Sequence, residues 1–253
     1  MPARRAGSAA VTTLQRVLDS SSDVAVVIPA LNEAERIGDT VNAVLSAGAV
    51  AVVIVVDDGS SDDTSSRAEE AGAQVVRHQR PRGKGAALDT GTRAAAAYGA
   101  RFLVFLDADL RTSAASWPAL AAPVLGGSAD IAIATLPAQQ APGGGRGRVV
   151  RLARGGIEAL TGFSAEQPLS GQRCLTIAAY DIVRPLARGF GIEVGMTIDA
   201  LRGGLRVIEV PVPFFHRVTG ADWRGRRHRA RQFAHVARAL AVRRLRLSPR
   251  RRQ

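Results

Sequence analysis

Short, mainly apolar runs alternate with longer amphipathic stretches over the first half of the chain. The runs fall at residues 24–28, 51–56 and 102–106, and the Gln-Val-Val-Arg segment at 74–77 predicts a further strand between the second and third of them. Runs of this length with no polar face are typical of parallel strands that are buried on both sides. The stretches between them predict helices at about 33–47, 61–71 and 84–98. This alternation predicts an α/β fold, with a mostly parallel sheet and helices on both faces.

The second half of the chain continues with the same kinds of element. It predicts helices at 117–125, 149–161 and 193–201, strands at 131–135 and 206–212, and a basic helix at 226–245. Residues 137–147, rich in Gly, Pro and Gln, predict a loop over a site. We expect three parts: a lead-in at 1–23, one domain at 24–220 and an Arg-rich tail at 221–253.

Charge is concentrated in that tail. The 253 residues carry a net charge of +12, and residues 217–253 hold 13 arginines against the single acid Asp222. The other 216 residues balance, with 21 basic and 21 acidic side chains. Cys174 is the only cysteine, which excludes an internal disulfide and a multi-Cys zinc site and predicts a reducing, cytoplasmic location. No apolar run reaches the roughly 20 residues of a spanning helix, and we expect no secretory signal.

Two aspartates follow the run at 102–106. Asp107 and Asp109 would stand at the carboxyl end of a buried strand, where open α/β sheets place their ligands. Paired carboxylates there suit a hard divalent cation, with waters or phosphate oxygens as further ligands. The alternative is that both residues only end the strand and cap the next helix. Taken alone, this stretch leaves both roles open.

Two further motifs offer polar groups at strand ends and helix starts. Asp58, in the Asp-Asp-Gly-Ser motif at 57–60, can accept hydrogen bonds from a ribose or a base edge, or can form an Asx turn and helix cap. Lys84, the chain's one lysine, opens a predicted helix, where amide N–H groups and the helix dipole favour an anion. The Gly-Lys-Gly motif around Lys84 is not a P-loop. No GxGxxG fingerprint follows the first strand, so a nicotinamide cofactor is poorly supported.

Three residues of the second half are ambiguous. Arg173, at the end of the 169–173 turn, suits bidentate phosphate binding, or is an exposed loop arginine. Glu193 lies among small and apolar residues, which suits a general base, although a first-turn acid that answers the helix dipole is the simpler account. His216 is a structural histidine, or a further manganese ligand if the fold brings it near Asp109.

The order of these motifs resembles that of family 2 glycosyltransferases with the GT-A fold. The resemblance covers about residues 24–220, and it rests on Pro29–Glu33, Val56–Ser60, Gly83–Gly85, Asp107–Asp109, Leu169–Arg173 and Val210–Pro213 with His216. Within the family the chain resembles the soluble polyprenyl-phosphate (dolichyl-phosphate) sugar synthases. At Gly191–Gly195 it also resembles the glucosyl-3-phosphoglycerate synthases.

The resemblance implies a donor site at the front of the sheet. Pro29, Leu31 and Glu33 would line the nucleotide pocket, Asp58 would contact the base or ribose, and Lys84 would lie on the nucleotide side. Asp107 and Asp109 match the family's DxD motif. Asp109 is the expected ligand of Mn²⁺ or Mg²⁺, with Asp107 beside it and His216 as a further ligand.

The resemblance also implies an acceptor side. Ser170, Gly171, Gln172 and Arg173 would face the sugar or acceptor, and Glu193 would lie near the acceptor. The catalytic residues implied are Asp109, Glu193 and Arg173.

The implied reaction moves a sugar from a nucleoside diphosphate sugar, UDP-glucose or similar, to a phosphate-bearing acceptor. Polyprenyl phosphate is the main expectation. A small acceptor such as 3-phosphoglycerate is the alternative, although the chain lacks long insertions that we associate with those enzymes. An already ionised phosphate acceptor needs little base catalysis, whereas a hydroxyl acceptor needs Glu193 or a similar group.

The basic tail suggests its own partners. In helical register, an apolar face beside the arginines would be formed by Phe233, Val236, Ala237, Leu240 and Ala241. That pattern is compatible equally with an interfacial helix on an anionic membrane, at the inner face of the cell membrane, and with a solvated basic tail. A nucleic-acid partner is not expected, because the remainder of the chain is charge-neutral and has few aromatic residues for stacking.

Overall fold

A computed structural model of the chain describes residues 23–48, 50–137, 147–215 and 223–245. Within them lie the strands β1 (Val24–Ala30), β2 (Val52–Asp57), β3 (Gln74–Arg77), β4 (Phe102–Phe105), β5 (Ile131–Thr135), β6 (Arg173–Thr176) and β7 (Val207–Pro211). The helices are α1 (Ile37–Ala47), α2 (Thr64–Glu70), α3 (Lys84–Ala96), α4 (Trp117–Leu125), α5 (Arg148–Thr161), α6 (Ile177–Val183), α7 (Ile192–Arg202) and α8 (Trp223–Leu245), with 3₁₀ turns at Arg111–Ser116 and Gly189–Gly191. Most of the predicted lead-in and of the predicted loop, and the boundary placed at 220/221, lie outside the described residues.

The strands form one seven-stranded sheet in the order β3-β2-β1-β4-β6-β5-β7. β1 runs parallel to β2 on one side and to β4 on the other. Only β6 is reversed among the described strands, antiparallel to both β4 and β5. The predicted mostly parallel α/β fold is confirmed. The chain leaves β1 towards one edge and returns to its other side at β4, which creates the crevice where such sheets bind ligands.

Burial explains why the strands read as continuous apolar runs. Every residue of β2 and β4 is buried, as are six of the seven residues of β1. Pro29 lies inside β1, although a proline that cannot donate to a ladder suggested a strand end. It is tolerated because the pairing of β1 with β4 covers only Val24 to Val27. Pro29 lies beyond that, in register with Val56 of β2.

The last described helix packs on the domain. On α8, Val236 and Ala239 are buried. Val236 belongs to a hydrophobic cluster with residues of α5 and α7, among them Ile157 and Ile198, and Leu240 packs against the same cluster. Within the described ranges, no helix is both long and apolar enough to cross a bilayer.

Candidate active site

The loops after β1 and β2 are tied together where they leave the sheet. The Asn32 amide donates to Ser60 Oγ at 2.9 Å, and the Ser61 amide returns a bond to Asn32 Oδ1 at 2.9 Å. The Glu33 amide donates to Thr64 Oγ1 at 2.8 Å. Asn32 has a positive φ of 56°, a conformation in which Asn is enriched. The pocket wall predicted at residues 29–33 is therefore held in shape by side chains to which the sequence motifs assigned no role at this wall.

Leu31 and Glu33 keep access to the crevice. Leu31 is 44% exposed, which is unusual for a leucine beside a buried strand and leaves an apolar surface for a ligand. Glu33 forms an ion pair with Arg36 at 3.1 Å. Pro29, by contrast, lies within β1 and would contribute to the pocket wall through the course of the backbone.

Asp58 is buried and already engaged by the chain. Its Oδ1 accepts from the Arg82 amide at 2.8 Å and lies 2.7 Å from His78 Nδ1, and its Oδ2 accepts from the Gly83 amide at 2.7 Å. Asp58 thus shapes the loop that precedes Lys84, a role that the sequence did not reveal. Since each carboxylate oxygen can accept two bonds, Oδ2 is the atom with capacity for a base or ribose.

One ammonium joins the two predicted halves of the site. Lys84 Nζ lies 2.8 Å from Asp107 Oδ1 and 3.2 Å from Glu193 Oε1. Burial lowers the pKa of Lys84, but the charges of Asp107 and Glu193 outweigh it and the pKa lies above its usual value. Lys84 is therefore a fixed cation between Asp107, predicted on the donor side, and Glu193, predicted on the acceptor side.

The 170–172 turn packs directly on this cluster. Gln172 is buried, and its Nε2 donates to Asp107 Oδ2 at 2.6 Å, while Ser170 Oγ lies 3.3 Å from Gln172 Oε1. A Cβ at Gly171 would lie 2.5 Å from Lys84 Nζ. A side chain at 171 would therefore displace the Lys84 ammonium from its present position beside Asp107. These residues hold Asp107 in place, which adds a positioning role to the predicted contact with the sugar.

Arg173 does not lie where the prediction put it. Its side chain is in the core, with the residue 1% exposed, and donates to the Ser170 and Glu193 carbonyls at 3.2 and 3.0 Å and to Thr197 Oγ1 at 3.1 Å. Burial lowers the pKa of Arg173 to about 10, and the charge of Glu193 opposes that shift. A guanidinium buried in β6 cannot grip a phosphate in this conformation. The arrangement makes Arg173 a positioning residue that joins the 170–172 turn to the start of α7.

Asp109 lines a cleft that follows the end of β4. The cleft has a volume of about 450 Å³ and is lined by Arg36, Asp109, Leu110, Arg111, Thr112, Ser113 and Phe215. Arg111 has a positive φ of 50°, and its amide donates to Thr40 Oγ1 at 2.8 Å. Backbone strain of this kind is concentrated at ligand sites. Phe215 directly precedes His216, which lies outside the described residues.

The carboxylates fit a divalent cation in part. Asp107 and Asp109 provide oxygen ligands of the type that Mg²⁺ and Mn²⁺ accept. In the described part of the chain, no group of three or more His, Cys, Asp or Glu side chains could hold a metal ion. Two carboxylates alone would leave the other ligand positions of such an ion to groups from outside these residues, such as water or phosphate oxygens.

Known proteins share this architecture. The family described as Glycosyl transferase family 2 matches residues 25–178. Glucosyl-3-phosphoglycerate synthase from Mycobacterium tuberculosis, solved with Mn²⁺, UDP and glucosyl-3-phosphoglycerate, is similar with 30% identity and a TM-score of 0.73, over 90% of this chain and 82% of that one. The same enzyme with Mg²⁺ and UDP gives 28% identity and a TM-score of 0.74, over 91% and 83% of the two chains. Its complex with phosphoglyceric acid gives 29% and 0.72, over 90% and 82%. Among curated protein sequences, no match is found.

Proposed function

Since this chain belongs to glycosyl transferase family 2, we propose that it transfers a hexosyl group from a uridine diphosphate sugar to a small phosphorylated acceptor of the 3-phosphoglycerate type. The observation that carries the proposal is the position of Lys84 Nζ, 2.8 Å from Asp107 and 3.2 Å from Glu193. Through this one ammonium, the carboxylate of Asp107 and the acid of α7, Glu193, are neighbours, which supports a shared site. The M. tuberculosis enzyme that is similar over 90% of the chain was solved with UDP, Mn²⁺ and phosphoglyceric acid.

On the donor side, the crevice between β1 and β4 would hold the nucleotide. Leu31 offers an exposed apolar surface to the base, and Asp58 Oδ2 offers an acceptor. A divalent ion held by Asp107 and Asp109, with His216 as a candidate further ligand, would neutralise the charge that develops on the leaving diphosphate. Lys84 supplies fixed positive charge at the same edge.

On the acceptor side, the reaction requires an oxygen to attack the anomeric carbon. The bond from that carbon to the β-phosphate oxygen breaks, its electron pair leaves with UDP, and a hydroxyl acceptor gives up its proton. Glu193 is the acid in position to take that proton. Gln172 and Arg173 hold Asp107 and the start of α7, so that the donor and the acceptor meet with fixed geometry.

A polyprenyl phosphate acceptor, the main expectation from the sequence, has less support. An ionised phosphate oxygen needs no general base to accept its proton. Such an acceptor would leave Glu193, which shares Lys84 with Asp107, without a role in proton transfer. The predicted membrane-facing side of the final helix is partly used inside the protein, because Val236 is buried and Leu240 packs against α5 and α7. Two of the M. tuberculosis complexes described above were solved with phosphoglyceric acid and with glucosyl-3-phosphoglycerate, respectively.

The donor assignment is tested by thermal melting with a panel of UDP- and GDP-sugars, with and without Mn²⁺. A ligand present at a hundred times its Kd should stabilise the fold by about 2.7 kcal/mol. We expect UDP-glucose with Mn²⁺ to raise Tm and the matched GDP-sugar to leave it unchanged. Stabilisation by GDP-sugars alone would contradict the donor assignment.

A further inference from the structure

The inner face of α8 lies against bare backbone. The groove beneath it is formed by Gly156 of α5, Gly189 and Gly191 of the 3₁₀ turn, and Gly195 of α7. A Cβ at Gly191 would lie 2.8 Å from Ala239 Cβ, and one at Gly195 would lie 2.6 Å from an Arg243 guanidinium nitrogen. A side chain at Gly191 would collide with the body of α8, and one at Gly195 would displace the Arg243 guanidinium, so α8 packs closely on both sides of Glu193.

A buried ion pair fixes α8 in this groove. Arg243 is 4% exposed, and its Nε donates to Asp199 Oδ1 at 2.9 Å while its second nitrogen donates to Asp199 Oδ2. Arg202 of α7 in turn donates to the Arg243 carbonyl at 2.9 Å. This bidentate geometry is specific to a guanidinium. The next residue, Arg244, is exposed.

The opposite face of α7 belongs to the active site. Glu193, in its first turn, contacts Lys84, and the Glu193 carbonyl accepts from Arg173. α7 is therefore held between the catalytic cluster and α8. The contacts of α8 are with α5, α7 and the 189–191 turn, whereas the donor-side loops follow β1, β2 and β4.

We propose that Arg243 is a positioning residue for sugar transfer, which acts through Asp199 to seat α8 on α7 and so fixes the position of Glu193. The proposal rests on the proposed function in assigning Glu193 to the acceptor side. It gives one arginine of the basic tail a task inside the protein. It also predicts different effects on the two sides of the site. Loosening α8 should impair transfer to the acceptor and leave binding of the UDP-sugar donor unchanged.

The kinetic test compares the full chain with Arg243→Met and the matched exposed variant Arg244→Met. Transfer to 3-phosphoglycerate, hydrolysis of UDP-glucose and UDP affinity are measured well below Tm. We expect Arg243→Met to lower kcat/KM for the acceptor at least tenfold, while donor hydrolysis and UDP affinity stay within about twofold. Arg244→Met should match the wild type. Loss of transfer and hydrolysis in equal proportion would indicate a merely structural role and overturn the proposal.

Hydrogen exchange provides a readout that does not depend on the acceptor. We expect exchange in residues 189–198 to accelerate at least tenfold in Arg243→Met and in Asp199→Asn, and to be unchanged in Arg244→Met. Asp199→Asn carries the test if Arg243→Met does not fold. Unchanged exchange in that segment would refute the proposal. Failure of the wild type to use 3-phosphoglycerate would instead count against the proposed function.

Discussion

At the scale of single residues, Lys84 stands out because every other basic residue in the chain is an arginine. The space around it explains the difference. Its Nζ lies 2.8 Å from Asp107 and 3.2 Å from Glu193, next to the bare backbone of Gly171, and a planar guanidinium is larger than an ammonium and has a different hydrogen-bond geometry. The site thus requires a compact point charge at this position.

Lys84→Met should leave Asp107 and Glu193 without their shared cation. We expect a loss in transfer kcat/KM of about a hundredfold, in line with the removal of a charge-assisted contact worth about 2–3 kcal/mol. Lys84→Arg should not restore activity, because a planar guanidinium does not reproduce the ammonium's contacts with both Asp107 and Glu193. Steady-state kinetics of the two variants check this. Full rescue by arginine would show that positive charge alone is sufficient.

Asp57 predicts a pH dependence of stability. Burial raises the pKa of this carboxyl, but hydrogen bonds from Ser60 and Ser65 and the charge of Arg77 outweigh it, so the pKa lies below its usual value. A group with a lowered folded pKa stabilises the fold above its unfolded pKa of about 3.9, and this contribution is lost as the pH falls through the folded pKa. Asp57→Asn should therefore cost about 1–3 kcal/mol at pH 7, and the cost should shrink below about pH 4. Urea unfolding of the wild type and of Asp57→Asn, at pH 7 and below about pH 4, checks this. An equal difference between the two free energies of unfolding at both pH values would contradict the prediction.

At the scale of elements, the strands were predictable and the reversed strand was not. β1, β2, β4 and β5 are buried on both faces, and a residue pattern without polar positions follows from that burial. β6 has only four residues and begins with Arg173, so nothing in its pattern indicated a buried strand. Its arginine enters the core only because three acceptors on other segments meet there, and such a convergence is a property of the tertiary structure.

The loop pair after β1 and β2 gives a prediction at this scale. Asn32→Ala removes the side-chain hydrogen bonds to Ser61. It also puts alanine, which tolerates a positive φ less well than asparagine does, at a φ of 56°. We expect these two effects to lower the free energy of unfolding by about 1–3 kcal/mol. Asn32→Gly loses the same bonds but keeps the backbone unstrained. We expect UDP affinity to fall in both variants and stability to fall further in Asn32→Ala. Calorimetric titration with UDP and thermal melting check this. Wild-type UDP affinity in both variants would exclude a role in UDP binding for the hydrogen bonds between the loops after β1 and β2.

At the scale of the whole molecule, the pattern of the last helix did not indicate its contact with α5 and α7. The density of arginine after residue 217 suggested a separate tail, and the helix read as amphipathic towards a membrane. Its inner face instead meets glycines of α5, α7 and the 189–191 turn. Those glycines are scattered in sequence, so only the folded structure shows that they form one groove.

A pair of substitutions separates a packed helix from an interfacial one. Val236 is fully buried and Phe233 is 44% exposed. Val236→Asp should lower the free energy of unfolding by about 3 kcal/mol or more, because it buries a carboxylate without a partner, whereas Phe233→Asp should change it by less than about 0.5 kcal/mol. Urea unfolding of both variants checks this. Equal stability of the two variants, with equal loss of binding to anionic vesicles, would favour the interfacial helix.

The most direct test of the account is transfer of glucose from UDP-glucose to 3-phosphoglycerate by the purified full chain. We expect glucosyl-3-phosphoglycerate to form with Mn²⁺ or Mg²⁺ and to disappear with a chelator, and Asp109→Asn to reduce the rate by about a hundredfold or more, because the leaving diphosphate then lacks its charge compensation. Product from a polyprenyl phosphate and none from 3-phosphoglycerate would contradict the proposed acceptor. An unchanged rate in Asp109→Asn would contradict the proposed metal site.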